Sequence, residues 1–380
     1  MGPLAGLTVV ELAGLGPAPL CCMMLAQMGA DVIRIDRPED TRSKADPRLQ
    51  PVNRGRRSIA VDLKSPAGAD IVKRLVRRSG VLVEGFRPGV AERLGLGPED
   101  CWKVNEALVY GRMTGWGQDG PLANVVGHDI NYIALNGVLD SIGADRNGPP
   151  VPPLNLVGDN GGGALYLAFG LVCALLEARQ SGKGQVVDAA ILDGSAHLMV
   201  HAYSLMAGGW GWGAGRGENI VSGANPWYTV YETSDGKYVS VGAVEERFYV
   251  ELVKRLGLDP DELPKRHDRA NWPSLRETFA AVFRRRTREE WTAELTPYEV
   301  CFAPVLSPKE AVHNPQVATR GAVIEVDGVL QAGPAPRFSR TEAELGSSPV
   351  RAGHHTAEVL GELGFSEGDI GGLKDQGVVA

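Results

Sequence analysis

The chain has 380 residues, 43% of them hydrophobic and 22% charged, with a formal net charge of -7 and a pI near 5.6. That length and apolar content describe a globular protein with room for two domains, and the acidic balance argues against nucleic acid as a partner. No run approaches the roughly 18 apolar residues of a membrane span, and the opening MGPLAGLTVVEL has neither a basic n-region nor a signal-peptide core, so a cytoplasmic location with no membrane span is expected.

Residues 7–12 form a β-branched run that reads as a strand, followed by a Gly-rich turn, an apolar helix and a second strand ending at Asp36. The layout approaches the dinucleotide fingerprint, in which glycines let the backbone approach a pyrophosphate and an acid about 20 residues on holds a ribose. The turn Gly14-Leu15-Gly16-Pro17-Ala18-Pro19 argues against it. Pro19 stands where the third small residue belongs, and neither Pro17 nor Pro19 has the amide hydrogen a phosphate would use. A strand, a turn and a helix with proline in its first turn is the simpler reading.

A loop rich in Asp, Arg and Pro leads to SIAVDL (58–63) as a strand, a helix from Pro66 to Arg78, and the apolar runs VLVEGF (81–86) and ALVYGRM (107–113). A helix over 164–179 and the run GQVVDAAILD (184–193) complete an α/β alternation at the spacing of a parallel, doubly wound sheet. Residues 204–226 hold many glycines and two tryptophans without periodicity, which marks a connector. WYTVYETSDGKYVSVGAVE (227–245) then alternates around Ser234-Asp235-Gly236, a hairpin signal, and helical segments follow, one opened by the capping box Thr287 and Glu290. The expected organisation is a large domain over 1–190, a linker over 191–224, a small α+β domain over 225–310, and a tail over 311–380 that returns to the large domain.

Five scattered cysteines (Cys21, Cys22, Cys101, Cys173, Cys301) show no zinc spacing, and three lie in apolar helical surroundings that read as buried thiols of a reducing compartment. Arg54, Arg56, Arg57 and Lys64 cluster within one short segment and leave room for a local anion site.

Three places carry candidate chemistry, each with an ordinary explanation beside it. His128, in the GHDINY loop, is either a turn-stabilising residue or a base that titrates near neutral pH. Asp159, before Asn160, three glycines and an apolar helix, is either a helix N-cap or an acid/base beside open amides that would hold an oxyanion. Glu245, directly after the second hairpin strand, is either a favourable acid at a helix start or a carboxylate projecting into a cleft. His197 and His201 have the spacing of a helical metal pair but no acid completes the motif, so no metal is expected. Arg284-Arg285-Arg286 reads as a solvated helix end.

With these residues placed, the chain resembles the alpha-methylacyl-CoA racemases of the family III CoA-transferase superfamily along its whole length. The stretches that carry the resemblance are VVELAGLGP, GADVIRIDRP, NRGRRSIAVDLKS, VEGFRPGVAERLG, MTGWGQDGP, GHDINY, PPLNLVGD, SGKGQVVDAA and the tail HTAEVLGELG with GVV. The resemblance implies a Rossmann-like large domain, a smaller α+β domain and an interlocked homodimer. It implies that Arg37 serves the adenosine end of coenzyme A, with further contacts at Ala60, Val61, Asp62, Leu63 and Lys64, at Gly85, Phe86 and Arg87, at Arg93, and at Gly127, Asp129, Ile130, Asn131 and Tyr132 of the GHDINY loop. Cationic side chains suit a ligand bearing a pyrophosphate and a 3'-phosphate.

The family's bases fall on His128 and Asp159, with Glu245 beside the histidine. Racemising a 2-methylacyl-CoA thioester removes the Cα proton, holds an enolate and returns a proton on the opposite face. The resemblance gives one face to His128 oriented by Glu245 and the other to Asp159, with nearby amides on the enolate oxygen and no cofactor beyond the CoA of the acyl-CoA substrate. One departure is Asn160, where the family usually has an aromatic residue. Two other functions compete: a CoA transferase that uses Asp159 as nucleophile, and a catalytically silent acyl-CoA-binding homologue.

Overall fold

The computed structural model describes residues 2–208 and 215–380. The chain divides into two compact units, one made of residues 1–136, 154–198 and 315–380 and the other of residues 137–153 and 199–314.

The first unit is built on six parallel strands: β1 (Thr8–Leu12), β2 (Asp31–Asp36), β3 (Arg56–Ala60), β4 (Val81–Glu84), β5 (Val109–Thr114) and β6 (Val186–Ala190). Their spatial order is β3-β2-β1-β4-β5-β6, with Val9 of β1 opposite Val32 of β2 and Val81 of β4. This is the order of a Rossmann sheet, whose chain reverses direction of travel between β1 and β4 and leaves a crevice beyond the strand ends there. Both faces are covered, as parallel sheets require. Because side chains alternate along a strand, Val10, Leu12, Ile33 and Leu82 enter one core and Val9, Val32, Val81 and Val83 the other. Each such fully buried aliphatic side chain contributes about 1.5–3 kcal/mol relative to exposure.

The helix Pro17–Gln27 starts as the sequence indicates, with Gly16 at φ 80° turning the chain into Pro17. The helix Pro66–Val76 is capped by Ser65, whose Oγ accepts from the Gly68 amide at 3.0 Å. The third strand is displaced from SIAVDL to Arg56–Ala60, because Val61 leaves the sheet to bridge Val379 and Asp62 donates its amide to Val378. The predicted helix over 164–179 is the end of a longer helical run, in which the π-helical Leu156–Leu165 passes directly into the α-helix Tyr166–Ser181. That run, unlike the expectation from the sequence, is long and apolar enough to pass for a membrane span. Leu167, Leu171, Ala174 and Ala178 are nonetheless buried in the core of the unit, whereas Leu165, Phe169 and Leu176 are exposed.

The second unit contains the predicted hairpin, β7 (Tyr228–Glu232) and β8 (Tyr238–Gly242), extended by the short β9 (Phe302–Pro304) into an antiparallel sheet. Helices Glu246–Arg255, Trp272–Phe283 and Arg288–Leu295 supply the rest of a core that includes Tyr231 stacked on Phe283. Thr287 and Glu290 form the capping box in full. Part of the predicted connector is helical, since Val200–Gly208 continues as a helix. Its two tryptophans, Trp210 and Trp212, lie outside the described residues.

Candidate functional site

The crevice beyond the ends of β1, β4 and β5 holds a cavity of about 700 Å³. Leu15, Gly16 and Pro17 line it from the first turn, Gly85, Phe86 and Arg87 from the end of β4, Thr114 to Trp116 from the end of β5, and Gly127, His128, Asp129, Tyr132 and Asp159 from the far side. His128 and Asp159, 31 positions apart in sequence, therefore line one cavity.

His128 takes the N-cap position of the helix Asp129–Leu135 in extended backbone, and its amide donates to the Asn131 side chain at 3.0 Å. His128 is exposed and lines the cavity. The loop before it is fixed by aromatic packing: Tyr132 donates its hydroxyl to the Gly127 carbonyl at 2.5 Å, and Trp116 meets Tyr132 edge-on at 4.7 Å. Trp116 also donates its indole N–H to Val125.

Asp159 sits within the π-helical run, a rare geometry frequent at functional sites. The sequence allows it as a helix N-cap, or as an acid beside open glycine amides, and the structure departs from both. Its own amide donates to Asp129 Oδ1 at 2.7 Å, and the Asn160 amide donates to the Asn155 carbonyl at 3.1 Å, an i to i-5 bond. Gly162 is pressed against Ser195 and Gly194, so closely that a Cβ there would collide with the Ser195 amide. The glycines serve packing, and the amides of Asp159 and Asn160 are already taken.

The side chain of Asp159 is half-buried, and its acidity reflects that. Burial raises its pKa first, the neighbouring Asp129 carboxylate raises it further, and a hydrogen bond from Asn155 and the His128 side chain oppose the rise. Asp129 is held against the run by the absence of a side chain at Gly158, where a Cβ would overlap its carboxylate. The cavity lining thus carries an imidazole, a carboxyl group whose pKa is raised, and a second carboxylate that contributes to the rise.

The other candidate contacts are spread more widely. Ala60 and Val61 are buried at the sheet edge with their amides donating to Thr356 Oγ1 and the Asp36 carbonyl, and Asp62, Leu63 and Lys64 follow in the turn to the next helix. Arg93 lies exposed on a short helix after Arg87, and Ile130 and Asn131 face outward from the helix that His128 starts. Arg37 lines a separate cavity of about 440 Å³ at the end of β2. Leu15, 96% exposed, lines this cavity and the His128 cavity alike.

Two acids and three arginines read differently in the folded chain. Asp36 is buried and accepts from Arg34 Nε at 2.9 Å and Ser58 Oγ at 2.5 Å, so it is committed inside the protein and cannot serve a ribose. The basic cluster is largely internal, contrary to its reading as an anion site. Arg56 is bound by Glu11 at 2.5 and 2.6 Å with both side chains 1% exposed, Arg54 donates to Gln331 and the Ala332 carbonyl, and Arg57 pairs with Asp31, Glu358 and Glu362. Glu84, which nothing in the sequence singles out, ends β4 just before the lining residues Gly85 and Phe86. Burial pushes its carboxyl up to about 7, against the Phe86 amide at 2.6 Å and Arg112 at 3.6 Å.

Glu245 belongs to the second unit. It occupies the N-cap position of the helix Glu246–Arg255, exposed and without a side-chain capping bond, so its carboxylate is not consumed by the helix start. Glu246 takes the structural role, pairing with Arg266 at 2.7 Å. The second unit also has a larger cavity, about 1140 Å³, lined by Tyr228, Val230, Trp272, Arg269, Arg276, Cys301 and Phe302 among others. It brings no histidine or carboxylate to its wall, and Arg276 is engaged by Thr229 and the carbonyls of Gly223 and Ala224. Proton-transfer chemistry is better served by the smaller cavity. His197 gives its Nδ1 to the Tyr166 hydroxyl at 2.6 Å, and no group of three or more metal-ligating side chains occurs among the described residues.

The alpha-methylacyl-CoA racemase of Mus musculus is 43% identical over 371 residues, covering 97% of this chain and 95% of its own. That of Homo sapiens is 42% identical over 380 residues, covering 99% and 97%. The crystal structure of a CAIB/BAIF family protein from Brucella suis is similar with a TM-score of 0.82 at 28% identity, covering 95% of this chain and 99% of that one. CoA-transferase family III matches residues 4–356, and with a Rossmann sheet of this order and relatives at this identity the chain belongs to that family.

Proposed function

We propose that the protein is an alpha-methylacyl-CoA racemase that interconverts (2R)- and (2S)-2-methylacyl-CoA thioesters by two-base proton transfer. The observation that carries this reading is the 700 Å³ cavity whose lining brings together His128 and Asp159, the latter with its pKa raised by burial and by Asp129. Two groups able to exchange protons with one carbon, an imidazole and a carboxyl, are what a two-base transfer needs. His128 removes the α-proton on one face, the enolate forms against the resulting imidazolium, and Asp159 returns a proton on the other. The reverse direction exchanges the roles. The identity to the mouse and human racemases supports the same substrate class.

Glu245 is assigned to the His128 face, where its carboxylate would orient the imidazole and support its charged form. In an interlocked homodimer the two residues come from different chains. The exposed Leu165, Phe169 and Leu176 along one helical run support self-association, since a monomer rarely leaves such a contiguous apolar stripe in water.

The family name itself supplies the rival, a CoA transferase that would use Asp159 as a nucleophile. A transferase nucleophile does not require an imidazole beside it, so the presence of His128 in the same cavity favours proton transfer. The reading is tested by supplying each pure epimer of a 2-methylacyl-CoA without any carboxylate acceptor. A racemase brings both to the same final mixture, and a transferase or a silent binder leaves each epimer unchanged.

A further inference from the structure

The cavity at the end of β2 is built jointly by Arg37 and by a segment more than 300 residues away. Val350, Arg351 and Ala352 line it together with Arg37 and residues of the 43–47 loop. This segment is held in register with β3. The Gly353 amide donates to Ser58 Oγ at 2.9 Å, the His355 amide to the Ser58 carbonyl at 2.8 Å, and the Ser58 amide to His355 Nδ1 at 3.1 Å. Arg351 Nη1 reaches across to the Ser43 carbonyl at 2.8 Å.

The charges around this cavity do not balance. Glu11 is committed to Arg56, Asp36 to Arg34 and Ser58, and Asp46 to Arg48 at 2.7 Å. Asp40 accepts from the Arg37 backbone amide at 3.3 Å. Among the described residues neither the Arg37 nor the Arg351 guanidinium is within ion-pair distance of a carboxylate; Arg351 donates to the neutral Ser43 carbonyl and acts on Asp46 only at longer range. Two arginines with unspent donors lining one cavity suit a phosphate, which such forks grip through paired hydrogen bonds. The exposed Leu15 joins this cavity to the one holding His128, so a long ligand can place its anionic end here and its thioester there.

We propose that Arg351 is a second phosphate-binding residue for the nucleotide end of the CoA thioester, acting with Arg37 and delivered by the C-terminal segment. This rests on the acyl-CoA reading above and adds a specificity-determining residue to it. The test compares kcat/KM for a 2-methylacyl-CoA with that for the same acyl group on pantetheine, which lacks the nucleotide. This ratio does not depend on how much of the enzyme is active. Arg351→Gln is expected to lower the ratio about tenfold, the scale of a lost charged hydrogen bond, and Arg351→Lys, which keeps the charge but not the fork, to lower it less. If Arg351→Gln yields no folded enzyme, the partial fall in Arg351→Lys carries the test. An unchanged ratio in the variant, or a parallel loss on both thioesters, would make Arg351 only a strut between the tail and the 43–47 loop and overturn the inference while leaving the acyl-CoA reading intact. A wild-type enzyme with no preference for the CoA thioester would instead overturn nucleotide recognition as a whole.

Discussion

Glu11 and Arg56 offer the sharpest stability prediction, because both side chains are 1% exposed and each is the other's only charged partner among the described residues. Arg56 also donates to the Val52 carbonyl and to Asn53 Oδ1, so its guanidinium is fixed from two sides. Removing either partner leaves a charge deep in the core without compensation, which costs about 3–5 kcal/mol. A unit of this size loses roughly 2–4 °C of Tm per kcal/mol, so Glu11→Leu and Arg56→Met should each lower the first thermal transition by roughly 6–20 °C. Replacing both together by apolar groups removes the unpaired charge, and the double variant should recover most of the loss. Calorimetry on the wild type, the two single variants and the double variant gives the coupling directly. Single variants within about 1 kcal/mol of the wild type, or a double variant as damaged as the sum of the two, would refute the pairing and return Arg56 to the pool of cations available to a ligand.

His128→Ala and Asp159→Ala should each slow racemisation by about 100-fold or more, the scale of a lost acid/base catalyst, while CoA still binds by calorimetry; full activity in either variant excludes that residue. Asp129→Asn keeps an oxygen for the Asp159 amide but removes a charge that raises the Asp159 pKa, so the limb of the pH profile that reports Asp159 as proton donor should move to lower pH, and an unmoved limb would detach Asp129 from the site. Glu84, ordinarily titrating at 4.5 and held up to about 7 by burial, binds its proton more tightly folded than unfolded. Its contribution is therefore intact below about pH 4.5 and is lost as pH rises through about 7, a change of roughly 3 kcal/mol that Glu84→Gln should abolish. Equal pH dependence of Tm in wild type and Glu84→Gln would contradict this. Co-expression of His128→Ala and Glu245→Ala chains should restore about a quarter of wild-type sites if the two residues meet across a dimer, since about half the dimers are mixed and each mixed dimer has one intact site. Activity no higher than the mean of the two parents would place both residues in one chain.

Much of the fold is written in local sequence. The apolar runs at 7–12, 81–86 and 107–113 each coincide with a strand, and the Thr287/Glu290 capping box appears where its spacing puts it, because these signals involve neighbours only. What the sequence conceals depends on distant partners. SIAVDL reads as one strand, yet Val61 is drawn off the sheet by Val379. The glycines after Asp159 read as an opening, yet they let the π-helical run lie against Ser195. Arg54, Arg56 and Arg57 read as a patch of free charge, yet their partners are Glu11, Asp31, Gln331, Glu358 and Glu362, supplied from both ends of the chain. The resemblance puts His128 and Asp159 forward as bases, and that both line one cavity is visible only in the folded chain. Arg351 carries no signal in the sequence at all.

Two-base racemisation is tested most directly by incubating each epimer of a 2-methylacyl-CoA with the enzyme in heavy water and following the α-position by mass spectrometry. Conversion should bring one solvent deuterium onto Cα of the product epimer from either starting side, with no carboxylate acceptor present. Thioester recovered without α-deuterium, or acyl transfer that appears only when an acceptor acid is added, would contradict the account.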